Sequence, residues 1–176
     1  RNTSQRSGDY GDIATYYRPG HADYTFDKKY GFRDYRGGGR SSGRETIGRV
    51  ASGAVASKIL NSLGITFCTY TKSIGPVSIS KFDPEEINNN AFYMPDADAA
   101  EKAGAYLEEC MKNQDSAGGV IECRISGVPA GLGNPVFEKL DAMLAQAVMS
   151  VGAVKAVEIG DGTETATSKG SSNNDG

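Results

Sequence analysis

The sequence lacks the residues and patterns that several common classes of protein require. Its one histidine and its three cysteines do not have the spacing of metal ligands, and no two cysteines form a CxxC pair. No uninterrupted apolar run approaches the ~20 residues of a membrane-spanning helix. The net charge is only −3, which gives no general reason to expect a nucleic acid or membrane partner. We expect a globular cytoplasmic protein with buried, reduced thiols.

The charges that are present are unevenly distributed. Residues 1–49 contain ten basic and six acidic side chains, whereas residues 50–176 contain nine basic and sixteen acidic ones. Eight of the nine arginines lie in the first segment. Because guanidinium forks bind phosphate and carboxylate groups, this segment is the candidate anion-binding region. A solvated surface with a chance excess of arginine is the alternative interpretation.

The hydrophobic pattern predicts helices and strands without strict alternation. Apolar residues recur at steps of three and four residues in segments that predict helices over 43–61, 96–113 and 135–151. Shorter apolar segments predict strands over 64–72, 119–126 and 153–159. This order favours an α+β fold over a doubly wound parallel sheet.

Local signals predict where two of these helices begin and end. Ser42 and Glu45 have the spacing of a capping box. Asn134 followed by Pro135 predicts the start of the last helix, and Gly152 its C-cap. We expect that helix to bury its apolar side chains, namely Phe137, Leu140, Leu144, Ala147 and Val148.

The most informative stretch runs Arg33-Asp-Tyr-Arg-Gly-Gly-Gly-Arg-Ser-Ser-Gly-Arg-Glu-Thr46. Its three consecutive glycines let the backbone approach a ligand closely. Arg40, Ser41 and Ser42 follow at the mouth of a capped helix, where free N–H groups favour anions. Arg44, in the first turn, can point toward the same ligand. Neither the P-loop nor the dinucleotide fingerprint matches, and a flexible loop before an ordinary helix is the alternative.

Arginine–glycine runs with nearby tyrosines also suit single-stranded RNA. A non-catalytic RNA- or anion-binding α+β module using residues 33–44 is therefore the second functional hypothesis. Two acidic residues inside the run, Asp34 and Glu45, and the acidic remainder of the chain argue against nucleic acid.

The lone histidine lies in a second candidate segment, Arg18-Pro-Gly-His-Ala-Asp-Tyr24. A lone histidine is more often structural than catalytic. However, an imidazole ordinarily titrates near neutrality, and an adjacent cation or a flavin anion would tune such a group. His21 is therefore the candidate catalytic residue.

These two segments closely resemble chorismate synthases, and the resemblance runs through nearly all of the chain. Further matching segments are 5–7, 9–10, 29–31, 126–133 and 157–162. The resemblance implies a sandwich of helices between antiparallel sheets, assembled as a homotetramer in the cytoplasm. The implied enzyme is a lyase of the shikimate pathway, which leads to aromatic amino acids. It converts 5-enolpyruvylshikimate 3-phosphate to chorismate and phosphate by anti 1,4-elimination. Reduced FMN is required, and some members reduce it with NADPH.

The resemblance also assigns roles to individual residues. His21 is similar to the family's flavin-side histidine, a proton donor to reduced flavin. Arg18 and Arg44 resemble its substrate arginines. The residues that resemble FMN contacts are Arg40, Ser41, Ser42, Gly152 and Ala153. Gly43 and Gly152 depart from the alanine and asparagine expected there.

Relatives also have an N-terminal segment with a second histidine and a C-terminal segment with further flavin contacts. The resemblance places neither within the 176 residues. We expect residues 1–159 to be the central portion of a single domain and residues 160–176 to be a polar loop or frayed end. The chain would then carry half of a site and have little or no activity alone.

Overall fold

The computed structural model describes residues 11–173. Within that range it contains four α-helices and three β-strands. In chain order they are α1 (Asp23–Tyr30), α2 (Thr46–Ser62), β1 (Thr66–Ile74), β2 (Val77–Ser78), α3 (Ala97–Lys112), β3 (Gly119–Ser126) and α4 (Leu140–Met149). The α+β class is confirmed. None of the helices in the described range combines the length and apolar content that crossing a bilayer requires.

Short 3-10 helices connect several of these elements. They lie at Asp12–Ala14, Gly39–Ser41, Gly43–Glu45, Pro84–Asn88, Gly162–Ala166 and Gly170–Ser172. The chain divides into two compact units. One takes the chain up to Ala54 and from Ala130 onward, and the other is the continuous stretch Val55–Pro129.

The continuous unit is built on a three-stranded antiparallel sheet in the order β2-β1-β3. In the register of β1 with β3, Thr66 pairs with Ser126 and Tyr70 with Glu122. This register places Tyr70 and Glu122 side by side on one face. Ile121, Cys123 and Ile125 share the opposite face, as the alternating sequence of β3 predicts.

Helix α3 provides the core of the same unit. Its small apolar side chains Ala99, Ala100 and Ala103 are buried with Met94. The partly buried side chains that pack against them are Ile74, Val77, Ile79 and Phe92. The predicted helix over 96–113 is confirmed, because Asp96 is the N-cap and Asn113 the C-cap.

The other unit contains α1, which the sequence did not predict. This helix ends at Gly31, whose φ of 78° lies in the left-handed region and whose N–H donates to the carbonyl of Asp27. Glycine adopts that conformation without the steric cost that other residues meet, so it is a favourable helix terminus.

Helix α2 is confirmed, but it begins differently from the prediction. A 3-10 turn at Gly43–Glu45 precedes it, and the Ser42 side chain accepts a hydrogen bond from the backbone N–H of Arg44. A capping box would instead use the N–H of Glu45. The large apolar side chains of α2 are exposed in this chain, namely Ile47, Val50, Val55 and Ile59.

Four predictions in and after α4 are wrong. The helix begins at Leu140 with Lys139 as N-cap, because Asn134 instead pairs its N–H with the carbonyl of Glu138 in a tight turn. Its C-cap is Ser150, not Gly152. The apolar side chains are not buried: Phe137 is 90% exposed, and no α4 residue is buried. The predicted strand over 153–159 is absent: residue 153 lies in a turn, and no described neighbour forms a hydrogen-bonded ladder with 154–159.

Candidate anion-binding site

A tight turn before α1 holds Arg18 against Asp23. The two nitrogens Nε and Nη2 of Arg18 lie 2.8 and 2.9 Å from the two carboxylate oxygens of Asp23. The backbone N–H of Arg18 donates to the same carboxylate at 3.1 Å. Asp23 is only 3% exposed, whereas the Arg18 side chain is 23% exposed. The pair is therefore a bidentate fork whose anionic half is inside the protein and whose cationic half reaches the surface.

Arg33 reaches the same carboxylate from the chain segment that follows α1. Its Nη1 lies 3.1 Å from Asp23 Oδ2, and its Nε lies 3.5 Å from Asp27. Its Nη2 donates to the carbonyls of three residues in the segment before Arg18, namely Ile13, Ala14 and Tyr16. Arg33 therefore fastens that segment to α1.

These contacts decide the charge state of Asp23. The hydrogen bonds from the Arg18 side chain hold the pKa of the Asp23 carboxyl well below its usual range, against the opposing effect of burial. The carboxylate is therefore ionised at neutral pH, and the cluster pairs it with two guanidinium groups.

His21 lies on the exposed side of the same turn. Its backbone N–H donates to the carbonyl of Arg18, and its Nδ1 lies 3.0 Å from the carbonyl oxygen of Pro19. Because a carbonyl oxygen can only accept, this contact places the proton of a neutral imidazole on Nδ1. Nε2 is then the ring atom that can exchange a proton with a ligand.

The glycine run forms a loop that only glycine adopts readily. Gly37, Gly38 and Gly39 have φ values of 143°, 81° and 49°. A Cβ placed on Gly38 would lie 3.1 Å from the Ser41 hydroxyl. The loop closes through a hydrogen bond from the Gly38 N–H to the carbonyl of Asp34, so it is joined to the segment that carries Arg33.

Two of the sequence-predicted ligand residues stabilise this loop in the structure. The Ser41 hydroxyl donates to the carbonyl of Gly38 at 2.6 Å, and Ser42 caps the following turn. Arg44 is exposed, and its Nη1 lies against the backbone of Gly37, 3.4 Å from where a Cβ would stand. Arg40 belongs to the turn Gly39–Ser41, and its side chain lies outside the part of the chain that the structure describes.

The segment after α4 is tied to α2 by Arg49. Its Nη2 donates to the carbonyl of Ser150 at 3.0 Å and to the Ser150 hydroxyl at 3.2 Å. Gly152 and Ala153 follow directly, and Ala153 has a φ of 72°. The fold thus brings the two sequence-distant groups of predicted flavin contacts to one unit, joined through a residue of α2 five positions after Arg44.

Sequence reasoning missed two residues of this site. Asp23 lies in the quoted segment around His21, and Arg33 opens the glycine stretch, but neither was assigned a role. An aspartate five residues after an arginine across a Pro-Gly turn is the signal that could have identified the pair.

The donors on this surface are of the kind that an anionic group such as a phosphate needs. A Cβ placed on Gly43 or on Gly152 would meet no atom within 4 Å, so both positions leave open surface. The hydroxyl of Ser42 and the guanidinium of Arg44 are donors suited to an anion, whereas the single proton of the Ser41 hydroxyl is already donated to the Gly38 carbonyl. Within the described residues, no group of His, Cys, Asp and Glu side chains could hold a metal ion.

Comparison with known proteins identifies the family. The chain is an α+β protein with an arginine- and glycine-rich surface. A family model described as chorismate synthase matches residues 1–176. The chain therefore belongs to the chorismate synthase family.

Individual relatives agree with this assignment. The chain is 66% identical over 176 residues to the chorismate synthase of Agathobacter rectalis, covering 99% of this chain and 48% of that protein. It is 63% identical over 177 residues to that of Lachnoclostridium phytofermentans, with the same coverage. A solved crystal structure of a chorismate synthase superposes with a TM-score of 0.80 at 33% identity, covering 88% of this chain and 52% of that one. The chain thus spans about half the length of the relatives it matches.

Proposed function

We propose that the protein to which this chain belongs is a chorismate synthase, a lyase acting in the shikimate pathway of aromatic amino acid biosynthesis. It converts 5-enolpyruvylshikimate 3-phosphate to chorismate and phosphate by anti 1,4-elimination. The observation that carries the proposal is the 66% identity to a protein of that name over 99% of the chain.

The site chemistry supports the same reaction. The substrate carries a phosphate and two carboxylates, and Arg18 and Arg44 offer guanidinium groups that bind and orient such anions. Losing a phosphate dianion from the substrate is easier when cations stabilise the charge that develops on it. We assign substrate binding to these two arginines.

When bound, reduced FMN would act as a transient electron donor in this reaction. We assign its binding to Arg40, Ser41, Ser42, Gly152 and Ala153. We assign to His21 the exchange of a proton with the reduced flavin. This exchange uses Nε2, since Nδ1 faces the Pro19 carbonyl. NADPH as the flavin reductant, a homotetramer and a cytoplasmic location complete the proposal. They rest on the family alone.

We also propose that the 176-residue chain has little or no turnover by itself, because it spans 48% of its relatives' length. The test combines two measurements on the chain. Flavin fluorescence quenching measures FMN binding, and an anaerobic assay with reduced FMN and 5-enolpyruvylshikimate 3-phosphate measures chorismate formation. We expect flavin binding without appreciable turnover. Sustained chorismate formation would contradict the second proposal and support the first.

A matched pair of variants tests the anion site. Arg44→Ala should weaken binding of the substrate. Arg36→Ala removes another exposed arginine of this stretch, which pairs with Asp34, and should leave binding unchanged. Steeply salt-dependent RNA binding without flavin affinity would favour the RNA-binding alternative instead.

A further inference from the structure

The Asp23 carboxylate is the most fully enclosed charged group of the candidate site. It is 3% exposed and faces two guanidinium groups, those of Arg18 and Arg33. Burying a charge is costly unless it is paired and hydrogen-bonded. The buried Asp23 carboxylate therefore needs its hydrogen bonds and ion pairs with Arg18 and Arg33. The same contacts fix the positions of these two arginine side chains.

Asp23 constrains Arg18 at both ends of the residue. The side-chain fork is held at 2.8 and 2.9 Å, and the backbone N–H is held at 3.1 Å. The carboxylate occupies the guanidinium edge formed by Nε and Nη2. The orientation of the guanidinium is therefore set by Asp23.

The same contacts set the position of His21. The turn from Arg18 to Asp23 is closed by the backbone hydrogen bond to the carboxylate, and the His21 N–H donates to the Arg18 carbonyl within it. Arg33 forms a second ion pair with the carboxylate and is itself fixed by the three carbonyls of the segment before the turn.

We propose that Asp23 is a positioning residue, which orients the Arg18 guanidinium and the turn that carries His21 toward the anionic substrate. This proposal rests on the proposed function, because the substrate is taken from it. Asp23 itself lies behind Arg18 and does not touch the ligand.

Substitution of Asp23 by asparagine gives a test in which the direction of the change in substrate affinity decides between two explanations. Asp23→Asn removes a negative charge beside two arginines, so electrostatic attraction alone would make an anion bind more tightly. Loss of the orientation of the Arg18 guanidinium would instead weaken anion binding. We expect Asp23→Asn to weaken binding of 5-enolpyruvylshikimate 3-phosphate by about tenfold or more, the size typical of losing a group that orients a ligand-binding side chain. Tighter or unchanged binding would overturn the proposal.

Asp27→Asn is the matched control. Asp27 lies on the same helix and pairs with Arg33 at 3.5 Å, but its carboxylate is not the one that grips Arg18. Removing its charge should leave substrate affinity the same or slightly higher. If both variants weaken binding equally, the effect belongs to the net charge or the stability of the cluster, and Asp23 has no special positioning role.

A second measurement does not depend on the substrate. In the wild-type chain the Arg18 Nε–H signal in an NMR spectrum should be sharp and protected from exchange with water. It should lose this protection in Asp23→Asn and keep it in Asp27→Asn. If the wild-type chain binds no substrate, the proposed function fails for the isolated chain. The Arg18 Nε–H signal then decides whether Asp23 positions Arg18. An unprotected Arg18 Nε–H in the wild type would refute it. If Asp23→Asn does not fold, Asp23→Glu replaces it, with loss of the bidentate geometry as the expected result.

Discussion

Replacing Asp96 by alanine should loosen α3 from the segment that follows β2. Asp96 is 3% exposed, and its carboxylate accepts four hydrogen bonds. One comes from the backbone N–H of Ala99 in the first turn of α3, at 3.2 Å. The others come from the N–H and hydroxyl of Ser80 and from the N–H of Lys81, at 2.9, 3.0 and 3.1 Å. The carboxylate thus joins the helix terminus to a loop sixteen residues earlier.

The size of the effect follows from these contacts. Loss of a helix N-cap costs about 1 kcal/mol, and each hydrogen bond to a charged group contributes about 1.5–3 kcal/mol. These contributions share one carboxylate and do not add fully, so we expect a loss of about 3–4 kcal/mol. Asp98→Ala is the matched control. That carboxylate is also in the first turn but is 66% exposed and pairs with exposed Lys81, which corresponds to at most about 1 kcal/mol.

Hydrogen–deuterium exchange of the α3 backbone amides measures this difference within one unit of the chain. At about 1.4 kcal/mol per tenfold change, protection of α3 should fall by two to three powers of ten in Asp96→Ala and by less than one in Asp98→Ala. Equal effects would refute the reasoning. The pKa of Asp96 is held well below its usual range, first by the hydrogen bond from the Ser80 N–H. Its contribution is therefore fully present above about pH 4 and is lost as the pH falls further, so wild type and Asp96→Asn should converge in acid.

Two further predictions concern the glycine loop and the sheet. Gly38→Ala places a side chain at a φ of 81° and 3.1 Å from the Ser41 hydroxyl, which should cost about 1–2 kcal/mol of loop stability and weaken flavin binding several-fold in a fluorescence titration. Gly43→Ala, whose Cβ would meet nothing within 4 Å, should bind as the wild type does, and equal losses would contradict the assignment. Burial and the hydrogen bond to Glu122 raise the pKa of Tyr70 to about 12. In alkaline absorbance titrations of the wild type and Glu122→Gln, the difference should therefore be a late-ionising tyrosine, Tyr70, that ionises earlier in the variant. Because the folded-state pKa is raised, stability should fall as the pH rises above about 10.

The elements that the sequence predicted well have strong local signals. Strand β3 alternates cleanly between its two faces, and α3 begins at Asp96, a preferred N-cap residue. The prediction of a strand over 153–159 was wrong because a strand needs a neighbouring strand to pair with. Whether such a neighbour is present depends on the tertiary fold and not on the local sequence. Asn134 followed by Pro135 was misleading because the same residues favour turns as readily as helix starts.

The sequence predicts residue types for the candidate site but not their arrangement. The arginines, the histidine and the glycines follow from composition, motif order and family resemblance, and their roles stay predictions. The pairing of Arg18 with Asp23 depends on the fold of a turn, and that of Arg33 with three carbonyls depends on a contact across about twenty residues. The exposed apolar faces of α2 and α4 could not be foreseen either, since periodicity indicates which side chains share a face but not what covers them.

The contact between Arg49 and Ser150 has a consequence for the order of events during synthesis. The two residues are 101 positions apart, and the whole of Val55–Pro129 is translated between them. At about 5–20 residues per second, the ribosome needs roughly 5–20 s to cover that interval. The continuous unit can form its sheet and core in that time, whereas the arginine- and glycine-rich segment must wait for its distant counterpart. The two parts of the candidate site that Arg49 and Ser150 join therefore come together only after the continuous unit has been translated.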